Sequence, residues 1–162
     1  MTATTIIAQS LTPEAFAPFG DVIDCSGEPD KIINEGMCGR FHDRAKLEAE
    51  DGRLGLSLFQ AEPRALPYTF DLLERHPLGS QTFIPMSFEP FLIIAAQDLG
   101  DRPGSIHGFL SAPGQAINFH MGTWHGVLTP LHAPGLFAVI DRIGGGENLE
   151  EHRLSEPTTI TT

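Results

Sequence analysis

Apolar and polar positions alternate with a period of two along much of the chain, in short runs separated by glycine and proline. Residues 54–60 set Leu54, Leu56 and Leu58 against Gly55, Ser57 and Phe59, the pattern of a strand with one more apolar face. Residues 91–96 are apolar throughout and are bounded by Pro90 and a turn segment over 98–104, which predicts a strand buried on both faces. Further strands are expected at 21–25, 81–86, 106–110, 115–120, 125–129 and 136–142. Helical chemistry is confined to two places. Thr12-Pro13-Glu14 supplies an N-cap, a proline for the first helical position and an acid for the first turn, so a short surface helix precedes the first strand. Asp71-Leu72-Leu73-Glu74 favours helix locally, but Pro77 and Gly79 follow at once, so any helix there is one turn or none. After Gly144 the pattern is lost in a glycine run, acids and a Thr-rich end, which reads as a tail, docked on a neighbour or disordered. Strands recurring every 8 to 12 residues with Gly/Pro turns predict an all-β sandwich or barrel.

Composition narrows this picture. A chain of 162 residues suits one domain, which at this size buries roughly 70% of its unfolded surface. The hydrophobic share of 41%, the charged share of 19%, 17 Gly and 13 Pro describe a turn-rich globular protein. A net charge of -11 with no local Lys/Arg cluster argues against nucleic acid and anionic membrane as partners, and means that a small anionic substrate needs a local Arg. Cys25 and Cys38 lack C-x-x-C spacing, so neither a disulfide framework nor a zinc knuckle is indicated, and a reducing cytoplasm fits. The start MTATTIIAQS has no basic n-region and no sustained apolar run, and no apolar stretch approaches the ~20 residues needed to span a bilayer, so a soluble cytoplasmic protein is expected.

Two histidine-bearing segments carry the candidate chemistry. In GQAINFHMGTWHGVL, Gly114, His120, Gly122 and His125 have the spacing of the second cupin motif, with His120 at its proline position. In ERHPLGSQTFIPM, Glu74-x-His76 followed by Gln81 stands where a metal cupin carries His-x-His followed by Glu. Together with NEGMCGRFHDRA (34–45) and IDR (140–142), these stretches resemble the ureidoglycolate lyase family over most of the chain, from about Phe16 to Gly144. The resemblance implies a cupin-type, jelly-roll-like β-barrel with a few short helices. It implies one domain over 1–162, with a core at about 16–144 and a tail at 145–162. It also implies a homodimer that cleaves (S)-ureidoglycolate to glyoxylate and urea in allantoin and purine catabolism. Nickel is the ion associated with that family, without being a tightly held structural metal.

Ureidoglycolate is a carbinolamide, so its elimination needs a base on the hydroxyl and an acid on the departing nitrogen. Histidine suits both tasks near neutrality, and such help is worth about 10² to 10⁴ in rate. His76, His125 and His120 are expected to converge as the catalytic set. A plain alternative makes each a barrel-lining histidine satisfied by a neighbour; motif register favours function for His76 and His125, whereas His120 at a strand end equally suits a turn cap. Trp124, the single Trp, walls the pocket or fills the barrel mouth. Glu74, His76, Gln81 and His125 form a nitrogen and oxygen set suited to Ni, Mn or Fe, weakened by the neutral Gln81, which also serves as a substrate-binding candidate. The substrate carboxylate calls for a bidentate Arg, with Arg142, Arg75 and Arg40 as candidates. Arg75 alternates with Glu74 and His76 and so faces away from the barrel interior if that segment is extended. Arg40-Phe41-His42-Asp43 orients an imidazole, marks a dimer contact or is a plain turn. A small open-ended barrel leaves apolar strand edges and Phe-rich segments such as Phe88-Glu89-Pro90-Phe91 in need of cover, which agrees with a dimer. The rival readings are hydrolysis releasing ammonia, a metal-dependent cupin oxygenase or isomerase, disfavoured by the missing His-x-His and Glu, and a non-catalytic metabolite-binding cupin.

Overall fold

The computed structural model describes residues 3–162 and is built almost wholly of strands. The chain runs through β1 (Thr4–Ile7) and β2 (Gln9–Ser10) into a one-turn helix, α1 (Pro13–Phe16), then β3 (Gly20–Ile23) and a small hairpin of β4 (Lys31–Ile33) and β5 (Cys38–Arg40). It continues through β6 (Arg53–Gln60), β7 (Tyr68–Arg75), β8 (Gln81–Pro85), β9 (Phe91–Asp98) and β10 (Pro103–Leu110). The remaining strands are β11 (Ala116–Phe119), β12 (Trp124–His125), β13 (Thr129–Pro130), β14 (Leu136–Ile143) and β15 (Glu150–Thr161).

Two sheets pack face to face. One has the order β3-β11-β8-β14-β6; the other runs β1-β15-β7-β12-β9-β10-β2, with β13 also on β9. The second sheet curls until its edges meet, because β1 pairs with β15 at one edge, β2 pairs with β10 at the other, and Ala8 alone separates β1 from β2. It therefore has an apolar core of its own. Phe70, Leu73, Leu92, Ile94, Ala96, Trp124 and Ile160 fill that core, while Phe91, Ile93, Ala95, Phe109, Phe119, Phe137 and Val139 pack in the barrel between the sheets. β9 feeds alternate residues into both, as its unbroken apolar run predicts. Each fully buried large side chain contributes about 1.5–3 kcal/mol. The helix forms as expected: Thr12 Oγ1 accepts from Ala15 N at 3.1 Å, and the fully buried Phe16 packs into the barrel core edge-on to Phe109 at 5.4 Å.

The structure corrects three expectations. Residues 70–74 belong to a full strand, β7, held between β12 and β15. The segment after Gly144 is not a disordered tail but carries a strand of the same sheet: β15 pairs along β7 and buries Thr158 and Ile160. The strand expected at 125–129 is broken into β12 and β13, with Thr129 Oγ1 donating to Val127 O at 2.7 Å across the interruption. No helix among the described residues is long and apolar enough to cross a membrane.

Candidate active site at one end of the barrel

A register shift sets the direction of the first site residues. The β7–β15 ladder slips between the pairs Phe70–Thr158 and Leu72–Arg153, so Leu73 as well as Phe70 is buried in the second core. Glu74 and His76 consequently turn to the barrel between the sheets. Cross-strand pairing then lines up Glu151, Glu74, His125, Ala95 and His107 as one rung on one face. A rung on the opposing sheet contains Phe119, Gln81 and Asp141. The two rungs meet where the Phe119 ring stacks on His125, with centroids 4.4 Å apart and planes 10° from parallel.

The motif glycines make the connecting turns. Gly114 and Gly122 have φ of 80° and 81°, a region open to glycine and strained for other residues, and Gly122 N donates to His76 O at 3.0 Å. This bond draws the loop before His125 onto the strand end that carries His76. The two imidazole centroids lie 5.2 Å apart.

Backbone carbonyls orient both imidazoles. His125 Nδ1 lies 2.9 Å from Gly126 O and His76 Nδ1 lies 2.8 Å from Asn148 O; a carbonyl accepts only, so both Nδ1 atoms carry protons and donate. In the neutral rings both Nε2 atoms then present lone pairs inward, and both are buried without a hydrogen-bond partner. Burial, then the neighbouring His76, pushes the His125 pKa down to about 3, against the Gly126 carbonyl that supports its proton. His125 is therefore neutral near pH 7. Burial raises the Glu74 carboxyl above its ordinary value; His76 pulls it down and Glu151 pushes it up. One ligand atom each from Glu74, His76 and His125 lies within 4.8 Å of the others. Inward lone pairs at that spacing, beside a carboxylate whose burial resists charge, fit a divalent metal ion.

The remaining expected residues have other partners. His120 follows Phe119 on β11 and so points out of the barrel, where Nε2 lies 3.0 Å from Asp21 Oδ2. Burial raises that Asp21 carboxyl, but Lys46 N, Asn118 and His120 outweigh it and hold the pKa low. Two of the three expected histidines converge. Arg142 faces away from Asp141 and clamps backbone: Nε donates to Glu50 O at 2.6 Å, and Nη2 donates to Asp51 O at 3.0 Å and Gly145 O at 2.8 Å. Arg75 faces the second core, as the alternation predicts, with Asp98 at 2.8 Å, Glu150 at 2.6 Å and the Trp124 ring 4.7 Å below its guanidinium. Trp124 itself is buried in that core and donates Nε1 to Asp98 Oδ1 at 3.1 Å. Neither arginine, nor the tryptophan, faces the paired histidines. Arg40 lies on the exposed β5, and the His42 backbone N–H is tied to Asp30 at 2.9 Å.

Gln81 is inside. Its Nε2 donates to Asp141 Oδ2 at 3.2 Å, and its Oε1 is buried without a partner. Asp141 and Asn148 were not among the sequence candidates. Asp141 left one signal, an acid in phase with the interior positions Phe137 and Val139; Asn148 left none.

The family model for ureidoglycolate lyase matches residues 3–161. Ureidoglycolate lyase of Rhodobacter capsulatus is 52% identical over 156 residues, covering 96% of this chain and 97% of that protein. Ureidoglycolate lyase of Mesorhizobium japonicum is 48% identical over 159 residues, covering 97% and 98%. The chain belongs to the ureidoglycolate lyase family.

Proposed function

We propose that this chain cleaves (S)-ureidoglycolate to glyoxylate and urea, as a step of allantoin and purine catabolism in the cytoplasm. The observation that carries this reading is the pair of imidazoles whose buried Nε2 atoms converge beside Glu74. Loss of the hydroxyl proton turns the carbinol carbon into the aldehyde carbonyl of glyoxylate. The carbon–nitrogen bonding pair leaves with the nitrogen, which takes up a proton to become urea. Gly126 O and Asn148 O hold the Nδ1 protons in place, so Nε2 is the atom at which each imidazole handles a substrate proton. Phe119 limits water at the His125 face by stacking on it.

His76, His125 and Glu74 would hold a divalent ion, nickel by family resemblance. When bound, that ion supplies the positive charge for a substrate carboxylate that Arg75 and Arg142, paired elsewhere, do not supply. Metal analysis of active protein separates the two uses of the lone pairs.

The test is incubation with (S)-ureidoglycolate and separate assays of urea, glyoxylate and ammonia. Equal urea and glyoxylate are expected, with His76→Ala and His125→Ala each slower by about 10²-fold or more and still folded by circular dichroism. Ammonia in place of urea would make the protein a hydrolase. Tight glyoxylate binding without turnover would make it a metabolite-binding barrel.

The active form is read as a homodimer of single-domain chains. Supporting this, the outer face of the five-stranded sheet carries Leu56 at 70% and Leu58 at 64% exposure, with Ala138 set between Leu58 and Ile84 and Phe88 at 79% close in sequence. Such a contiguous apolar face suits a second copy of the chain. Cys25 and Cys38 are exposed and unpaired, in keeping with a reducing compartment.

A further inference from the structure

We propose that the Gln81 carbonyl recognises the ureido end of the substrate by accepting a hydrogen bond from its N–H, and that Asp141 is the positioning residue that presents it. The proposal rests on the cleavage reading and goes beyond it, to how the pocket distinguishes the two ends of its substrate. Gln81 is directly opposite both Phe119 and Asp141 in the sheet, so its side chain enters the barrel beside the ring that stacks on His125. A carboxylate oxygen accepts only, so Asp141 Oδ2 can be met by the amide nitrogen and not by the amide oxygen. Flipping the amide would set two acceptors against each other. Asp141 thereby fixes which amide atom is left free, and that atom, Gln81 Oε1, is buried and without a partner.

The chemistry of the pocket then decides what Oε1 is for. The facing rung, reached through the Phe119–His125 stack, also offers acceptors: His125 Nε2 and the Glu74 carboxylate, with His76 Nε2 beside them. A pocket of acceptors binds donors and cations and repels a bare carboxylate. Of the two ends of ureidoglycolate, the ureido group brings N–H donors and the carboxylate brings none. A neutral carbonyl at position 81 suits the N–H end because it accepts strongly without adding a further negative charge close to the substrate carboxylate. A glutamate at that position would add that charge.

Glyoxylate keeps the carboxylate of the substrate and lacks every N–H, so it separates the two ends. KM for ureidoglycolate and the inhibition constant for glyoxylate are measured on wild type, Q81M, D141L and D141N. Q81M and D141L should each raise KM roughly tenfold with a smaller fall in kcat, the pattern of lost ground-state binding, while inhibition by glyoxylate stays within about twofold. D141N should remain near wild type, because an Asn oxygen can accept the same bond from Gln81. Parallel loss of glyoxylate inhibition would overturn the proposal and assign Gln81 to the carboxylate end or to an ion. Unchanged KM in Q81M would reduce the pair to a structural contact, and Q81M serves alone if D141L does not fold. If wild type releases no urea from ureidoglycolate, the cleavage reading fails by itself; urea binding followed by calorimetry, weakened in Q81M or not, still decides the role of the carbonyl.

Discussion

Asp141 and Arg142 are chain neighbours on β14, and the pleat sends them to opposite faces with unrelated tasks. Asp141 orients an amide in the pocket, whereas Arg142 ties the chain at Glu50, Asp51 and Gly145 to the outside of the sheet. Arg142→Ala should therefore lower stability by about 3 kcal/mol in urea titrations, since three carbonyls lose a charged donor, and leave KM of the folded protein nearly unchanged. A large rise in KM at full stability would return Arg142 to the substrate. His125 predicts a pH dependence of the metal-free protein. Its pKa is near 6.5 when unfolded and about 3 when folded, so between those values the unfolded chain binds a proton that the folded chain does not. Stability should fall as pH drops from about 6.5 towards 3, by on the order of 1 kcal/mol per pH unit, and the His125→Asn variant should show a shallower slope.

Strands β7 and β15 show why parts of the fold are hidden from a linear reading. The register shift buries Phe70 and Leu73, three residues apart, and a spacing of three is also a helical spacing. Local propensity therefore pointed to a helical turn, and pairing with β12 and β15 overrode it. In β15 the alternation is present, but several inward positions are polar, His152, Glu156 and Thr158 among them, so the apolar signal is masked. By contrast, β6 and β9 are legible because their apolar residues follow the pleat without interruption. The packing of β15 gives a direct test. Ile160 is fully buried against the second core, and Ile160→Ala should cost about 2–5 kcal/mol in a chemical melt. A disordered or merely docked tail would tolerate the change.

The assembled molecule places two rungs face to face at one barrel end and leaves an apolar face on the outside of the five-stranded sheet. If that face pairs with a second copy, light scattering should give a dimer at micromolar concentration and Leu56→Asp should give a folded monomer. A wild-type monomer would remove the claim. The order of residues along the chain was enough for an all-β protein and the family, and it singled out His76, His125 and Gln81 as candidates, because spacing and period-two patterning are properties of neighbours in sequence. Which side chains actually meet was set only by the fold. The outward turn of His120, the clamp made by Arg142, the Asp141 anchor of Gln81 and the hold of Asn148 on His76 all join residues on different strands or loops. Strand register and sheet curvature fix those meetings, and both depend on pairing between segments far apart in the chain, where local pattern carries no information.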